Sequence, residues 1–125
     1  MKTKTFIIGT NPKGKRDDIK VKIDDKYNEV SETHCKLTLK GTDFYIEDLN
    51  SATGTYVNGE KILEKTNVDF DDEITLGFNN KLSLNNKLIK FVYDENKKKK
   101  SKQIFTVTAI GFVILKILFH IFRKL

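Results

Sequence analysis

The sequence predicts an all-β domain, a sandwich of short strands, followed by one C-terminal transmembrane α-helix. Three observations carry this expectation. Apolar and polar residues alternate at period two through Cys35-Lys36-Leu37-Thr38-Leu39 and Phe44-Tyr45-Ile46-Glu47-Asp48, as they do in strands with one buried face. Turn formers punctuate such runs, above all Asn58-Gly59, whose residues tolerate the two positive φ angles of a type I′ hairpin turn. Finally, Ile104 to Phe122 is a run of 19 residues dominated by Ile, Phe, Val and Leu. At about 1.5 Å per residue it nearly spans a hydrocarbon core of roughly 30 Å. The expected organisation is therefore a sandwich over residues 1–95, a basic linker over 96–102 and a tail anchor over 103–125.

In chain order, Thr5-Phe6-Ile7-Ile8 reads as a strand ending at Gly9, and Asp17 to Ile23 alternates at period two as a second. The pair at 35–39 and 44–48 is joined by the tight turn Lys40-Gly41-Thr42-Asp43. Beyond the Asn58-Gly59 hairpin, Lys61-Ile62-Leu63 leads through Val68-Asp69-Phe70 to Glu73-Ile74-Thr75-Leu76, then Lys81-Leu82-Ser83-Leu84. Leu88 to Tyr93 reads as the closing strand. Asn79-Asn80 and Asn85-Asn86 mark the intervening turns.

A chain of 125 residues allows one domain, and the part ahead of the tail suffices for a single core. The net charge of +6 is unevenly placed. Residues 97–125 hold eight Lys and Arg and no acid, so the preceding 96 residues carry 15 bases against 17 acids. A slightly acidic globule is a poor partner for a nucleic-acid backbone, and none is expected.

Four motifs stand in order: Gly9; Ser31 with His34; Asp48-Leu49-Asn50-Ser51-Ala52-Thr53-Gly54-Thr55-Tyr56-Val57-Asn58-Gly59; and Asp72-Glu73-Ile74-Thr75-Leu76-Gly77. This pattern resembles the forkhead-associated (FHA) domain, a β-sandwich that binds phosphothreonine peptides through loops at one end. The resemblance implies a member trimmed at the N-terminus, since most relatives carry two further strands ahead of the one at Thr5. An edge left open by that omission invites pairing with a partner or a second copy.

The resemblance implies three recognition loops. In the first, Thr10 stands where relatives place an arginine that forks onto the phosphate, bonding that a hydroxyl cannot reproduce. Lys13, with Lys15 and Arg16, could supply charge without the fork. In the second, Ser31 matches the serine that bonds the phosphate, Glu32 follows where relatives often carry a base or Asn, and His34 matches a histidine that braces the loops. In the third, Ala52 replaces a frequent hydroxyl, and Thr53 replaces the asparagine that holds the peptide backbone. Gly9, His34, Ser51, Gly54, Asn58 and Gly59 are implied to support the loops, and Ser31, Thr53, Thr10 and Lys13 are the implied phosphopeptide contacts.

Other chemistries are not indicated. Gly9 to Arg16 nearly spells a P-loop, but Arg16 occupies the place of the magnesium-binding hydroxyl and a strand follows instead of a helix. Asp69, Asp71, Asp72 and Glu73 lack the glycine and terminal glutamate of a calcium loop. No serine or cysteine sits in a nucleophile motif, so neither an enzyme nor a cofactor is expected. The lone Cys35 excludes an intrachain disulfide and reads as a small core residue in a reducing compartment. The start of the chain offers no apolar run of secretory type.

More lysine precedes the apolar run than follows it, which places the globule on the cytosolic face of a membrane. Lys116 and His120 share one helical face, so a helix lying along the surface is the alternative. Whether the membrane is a mitochondrial or related outer membrane, endoplasmic reticulum or a viral envelope is left open. The function expected is a membrane-anchored docking scaffold of the FHA type with weak or degenerate phosphothreonine recognition; the alternative is a functional phosphothreonine adaptor using Ser31 and the nearby lysines.

Overall fold

A computed structural model describes residues 2–99. Its strands are β1 (Thr3–Gly9), β2 (Ile19–Lys22), β3 (Cys35–Lys40), β4 (Asp43–Asp48), β5 (Thr55–Val57), β6 (Glu60–Lys61), β7 (Thr66–Val68), β8 (Ile74–Leu76) and β9 (Asn80–Leu82). A helix, α1, covers residues 87–99. The strands form two sheets, ordered β2-β1-β3-β4-β7 and β6-β5-β8-β9. This is the expected all-β sandwich.

Period-two alternation sets the core. Cys35, Leu37 and Leu39 of β3 are fully buried, between Phe6 and Ile8 of β1 and Phe44 and Ile46 of β4, with Ile74, Leu76 and Leu82 supplied by the second sheet. Local turn chemistry sets the register. Gly41 has φ 66°, and Asn58 and Gly59 have φ 52° and 83°. Both are two-residue hairpin turns, and the second shows the paired positive φ values of type I′.

One pairing departs from the antiparallel rule. Phe6 lies opposite Ile19 and Gly9 opposite Lys22, so β2 runs parallel to β1. Residues 10–18 must therefore return alongside β1, and they cover its outer face. Ile7 is only 5% exposed there, and a Cβ on Gly14 would stand 2.9 Å from its Cγ1.

Strand direction sorts the connections into two ends. β1, β2, β4 and β8 run toward one end, where the loops after Gly9, Lys22, Asp48 and Leu76 gather. The turns at 41–42, 58–59 and 69–73 lie at the opposite, basal end.

The expected closing strand at Leu88 to Tyr93 is instead part of α1. The physical reason is a cap that a turn reading conceals: Asn86 accepts the amides of Leu88 (3.0 Å) and Ile89 (3.4 Å) on its side-chain oxygen, and its carbonyl receives the Lys90 amide (2.8 Å). Ile89, Val92, Tyr93 and Asn96 then fall on one helical face. Ile89 is fully buried in the core, Tyr93 stacks on Phe44 at 5.6 Å and meets Phe70 edge-on at 4.9 Å. The Asn96 side-chain amide donates to the carbonyls of Gly41 (2.9 Å) and Lys2 (3.4 Å). The helix thus lies across the basal end and closes the space between the sheets. Residues 96–99, expected to open a basic linker, belong to it. Among the described residues no helix is long and apolar enough to cross a membrane. The expected span, Ile104 to Phe122, lies outside them.

Candidate functional site

The first two loops are held together by backbone. The amides of Thr10 and Asn11 donate to the carbonyls of Ser31 (3.2 Å) and Glu32 (3.1 Å), and the Lys13 amide donates to the Thr33 hydroxyl (3.0 Å). Gly9 is what permits this approach. A Cβ there would stand 1.9 Å from the Glu32 carbonyl oxygen, inside any van der Waals contact.

His34 joins the second loop to the third. It is fully buried, its Nδ1 accepts the Ser31 amide (3.0 Å) and its Nε2 lies 2.8 Å from the Gly54 carbonyl. Because a carbonyl only accepts, Nε2 carries the proton and Nδ1 is the acceptor, a tautomer assigned by its two partners. The Gly54 carbonyl also receives the Gly77 amide (2.9 Å), which draws the turn after β8 into the same assembly.

Asp48 shapes the third loop from within. Its carboxylate accepts the Ser51 amide (3.0 Å) and the hydroxyls of Ser51 and Thr55, and the Ser51 hydroxyl oxygen in turn receives the Gly54 amide (2.9 Å). Partial burial pushes the Asp48 carboxyl upward, but the hydrogen bonds from Ser51 and Thr55, with His34 beside it, outweigh that and leave it below the ordinary range. Gly54 sits at φ 91°, where a side chain is strained, and the stem of Lys61 packs over it.

The phosphopeptide residues implied by resemblance converge only in part. The Ser31 hydroxyl oxygen accepts the Ala52 amide (3.0 Å), and among the described residues its proton meets no acceptor. The Thr53 hydroxyl donates to the Glu29 carbonyl (2.6 Å), so its proton is already engaged. Thr10 contributes its amide to the loop ladder, and Lys13 is exposed beside the second loop. Asn58 and Gly59 lie elsewhere: at the basal end Asn58 donates to Asp72 (2.8 Å) and accepts the Glu73 amide (2.9 Å). They brace the acidic turn, not the recognition loops.

Sequence reasoning missed two carboxylates. Glu29 accepts the Asn79 amide (2.9 Å), the Asn79 side chain (2.9 Å) and the Phe78 amide (2.5 Å), contacts that lower its pKa, the Asn79 amide foremost. Asp25 accepts the amides of Glu29 (2.9 Å) and Val30 (3.1 Å) and the Asn80 side chain (3.3 Å). Partial desolvation opposes these bonds, yet its pKa is also lowered. Together they strap the long second loop to the turn after β8. No local signal announces this, because the partners stand about 50 positions apart.

Cys35 is fully buried, and burial with the nearby Asp48 carboxylate pushes its thiol far above the ordinary range. The acidic turn is self-contained: Asp72 accepts the Asp69 amide (2.8 Å), and Asp69 accepts the Asp71 amide (2.9 Å).

The geometry is thus a β-sandwich whose loops at one end are knit together by a buried histidine and an internal aspartate. The FHA domain family matches residues 6–77, more than half the sequence, and the chain belongs to that family. Its curated relatives include the FHA domain-containing protein FhaB of Mycobacterium tuberculosis, 31% identical over 64 residues. That match covers 51% of this chain and 40% of the relative, so the chain corresponds to less than half of the relative's length. The FHA domain of the Chlamydia trachomatis protein CT664 is similar at 27% identity, covering 59% of this chain and 69% of that one with a TM-score of 0.47.

Proposed function

We propose that this protein is a membrane-held docking module that recognises a phosphothreonine segment of a partner weakly, through Ser31. The observation that carries the reading is the state of that hydroxyl. Its oxygen is fixed by the Ala52 amide and its own backbone by His34, and among the described residues its proton meets no acceptor, which suits it to an acceptor on a partner. Weakness follows from the neighbours. Thr10 has no guanidinium, Glu32 is an exposed carboxylate beside a dianionic ligand, and the Thr53 proton is engaged by Glu29. Lys13 and the lysines of the first loop supply diffuse charge only. The apolar run from Ile104 to Phe122 supports the membrane tether, which raises the effective concentration of a weak module beside membrane partners.

Titration of the full chain in detergent micelles, at low salt, against a degenerate phosphothreonine peptide library and its unphosphorylated counterpart tests this. Preference for the phosphorylated library should fall about tenfold or more in Ser31→Ala, the worth of one hydrogen bond to a charged group. Equal binding of both libraries would leave the second reading, a scaffold that docks without phosphate, which the engaged Thr53 hydroxyl favours.

A further inference from the structure

The basal end carries a surface that the core does not explain. α1 satisfies its inward face through Ile89, Tyr93 and Asn96, yet Phe91 is 62% exposed and Leu88, three residues earlier, is 40% exposed. Around them stand Lys87, Lys97, Lys98 and Lys99, all exposed. Because Asn96 bonds the carbonyls of Lys2 and Gly41, Lys2 and Lys40 are brought to the same corner as the end of the helix. The acids on this face are few and mostly engaged: Asp94 pairs with Lys90 at 3.0 Å and Glu95 with Lys98 at 3.6 Å, while Asp43 sits opposite Lys40 in the hairpin. Among the described residues Lys2, Lys40, Lys87, Lys97 and Lys99 have no carboxylate within ion-pair distance. The acidic turn at 69–73 adjoins the same helix, with Phe70 edge-on to Tyr93 at 4.9 Å and the Lys90 ammonium 5.3 Å from the Phe70 ring, but its Asp69 and Asp72 carboxylates are bonded within the turn and to Asn58.

We infer that this face, Phe91 and Leu88 set between Lys87 and the lysines that end α1, is a docking surface for an anionic lipid bilayer. Charge complementarity selects the occupant: exposed aromatic and aliphatic side chains flanked by lysine suit the boundary between headgroups and acyl chains. The described residues end with α1 at this corner, and the residues next in sequence include Lys100 and Lys102 before the apolar run. The recognition loops are at the opposite end, so docking by this face holds them away from the bilayer, open to partners. The inference rests on the proposed tether for its geometry, and its test separates the two.

The chain has no tryptophan, so each substitution creates a single reporter. Full-length Phe91→Trp, Phe78→Trp and Phe112→Trp would be reconstituted into vesicles of phosphatidylcholine, with and without phosphatidylserine, containing brominated acyl chains. Phe112→Trp reports the tether, Phe91→Trp the basal face and Phe78→Trp the loop end. With phosphatidylserine, Phe91→Trp should be quenched and blue-shifted while Phe78→Trp is not. Reversing Lys97, Lys98 and Lys99 to glutamate should reduce docking by about fivefold or more for each lysine lost. Quenching at 112 with none at 91 beyond that at 78 would overturn the docking surface and leave the tether standing. Quenching at 91 without quenching at 112 would uphold the surface and remove the tether. Absence at both positions would overturn both.

Discussion

The two ends of the sandwich are built by different physics. The loop end is held by hydrogen bonds, local ones that shape each loop at Asp48 and Asp25 and ones that join distant segments at His34 and Glu29. The basal end is held mainly by contact, with Ile89 and Tyr93 of α1 packed on Phe44, Phe70 and the core and the Asn96 side chain as a buried polar tie. Hydrogen bonds are directional and fix positions, which suits a site that must present one hydroxyl in one orientation. Apolar packing is less directional and contributes more stability per residue. The difference separates the proposed recognition site at the loop end from the apolar packing at the basal end.

The largest test of that separation is Ile89→Ala. Truncating a fully buried aliphatic residue should cost about 2–5 kcal/mol, read by urea denaturation. Were the helix an appendage to a sandwich stable without it, the change would stay within about 0.5 kcal/mol.

His34→Ala attacks the other end. It strands the Ser31 amide and the Gly54 carbonyl, at about 1–3 kcal/mol for each buried group left without a partner. Amide exchange should quicken at Ser31, Ala52 and Gly77 and stay unchanged at Asn58, whose bonds are basal. Uniform quickening across both ends would show them to be one cooperative unit.

Acid sharpens the contrast more gently. The carboxyls of Asp48, Asp25 and Glu29 have pKa values lowered by folding, as does that of Asp72 at the basal end through the Asp69 amide and Asn58. In each case the unfolded chain binds more protons than the native one between the folded value and the unfolded value of about 4. The stability these groups contribute is therefore complete above about pH 4 and is lost as pH falls through their folded values. Three of the four hold the loop end, so exchange protection at Ser51, Glu29 and Asn79 should fail before that of Ile89. Simultaneous loss at all four amides would count against the separation.

The legible parts of the molecule were those specified within a few residues. The Asn58-Gly59 turn follows from the φ preferences of two adjacent residues, and the alternation from Cys35 to Leu39 follows from a strand with one buried face. The motifs from Gly9 to Gly77 were enough to point to the family and to His34 as a loop residue, whereas Asp48 read as the end of a strand with no loop role, and its bonds to Ser51 and Thr55 appear in the structure alone. Leu88 to Tyr93 was misread because a short run with five apolar residues of six suits a strand or a buried helix equally, and the Asn86 cap looks like a turn until its acceptor bonds are seen.

What the sequence determined by itself was the alternating strands of the first sheet, the hairpin turns, the family and the side chains proposed to meet a phosphate. Tertiary structure alone decided which of those groups are free. Among the described residues the Ser31 hydroxyl proton meets no acceptor, whereas the Thr53 hydroxyl donates to the carbonyl of Glu29, 24 positions away, which the folding of the long second loop brings to it. It also decided that Asn58 serves the basal end and that the helix closes it, since both depend on contacts between chain segments that no local pattern encodes. Short-range conformational preference is written residue by residue, whereas hydrogen-bond commitment is a property of neighbours in space.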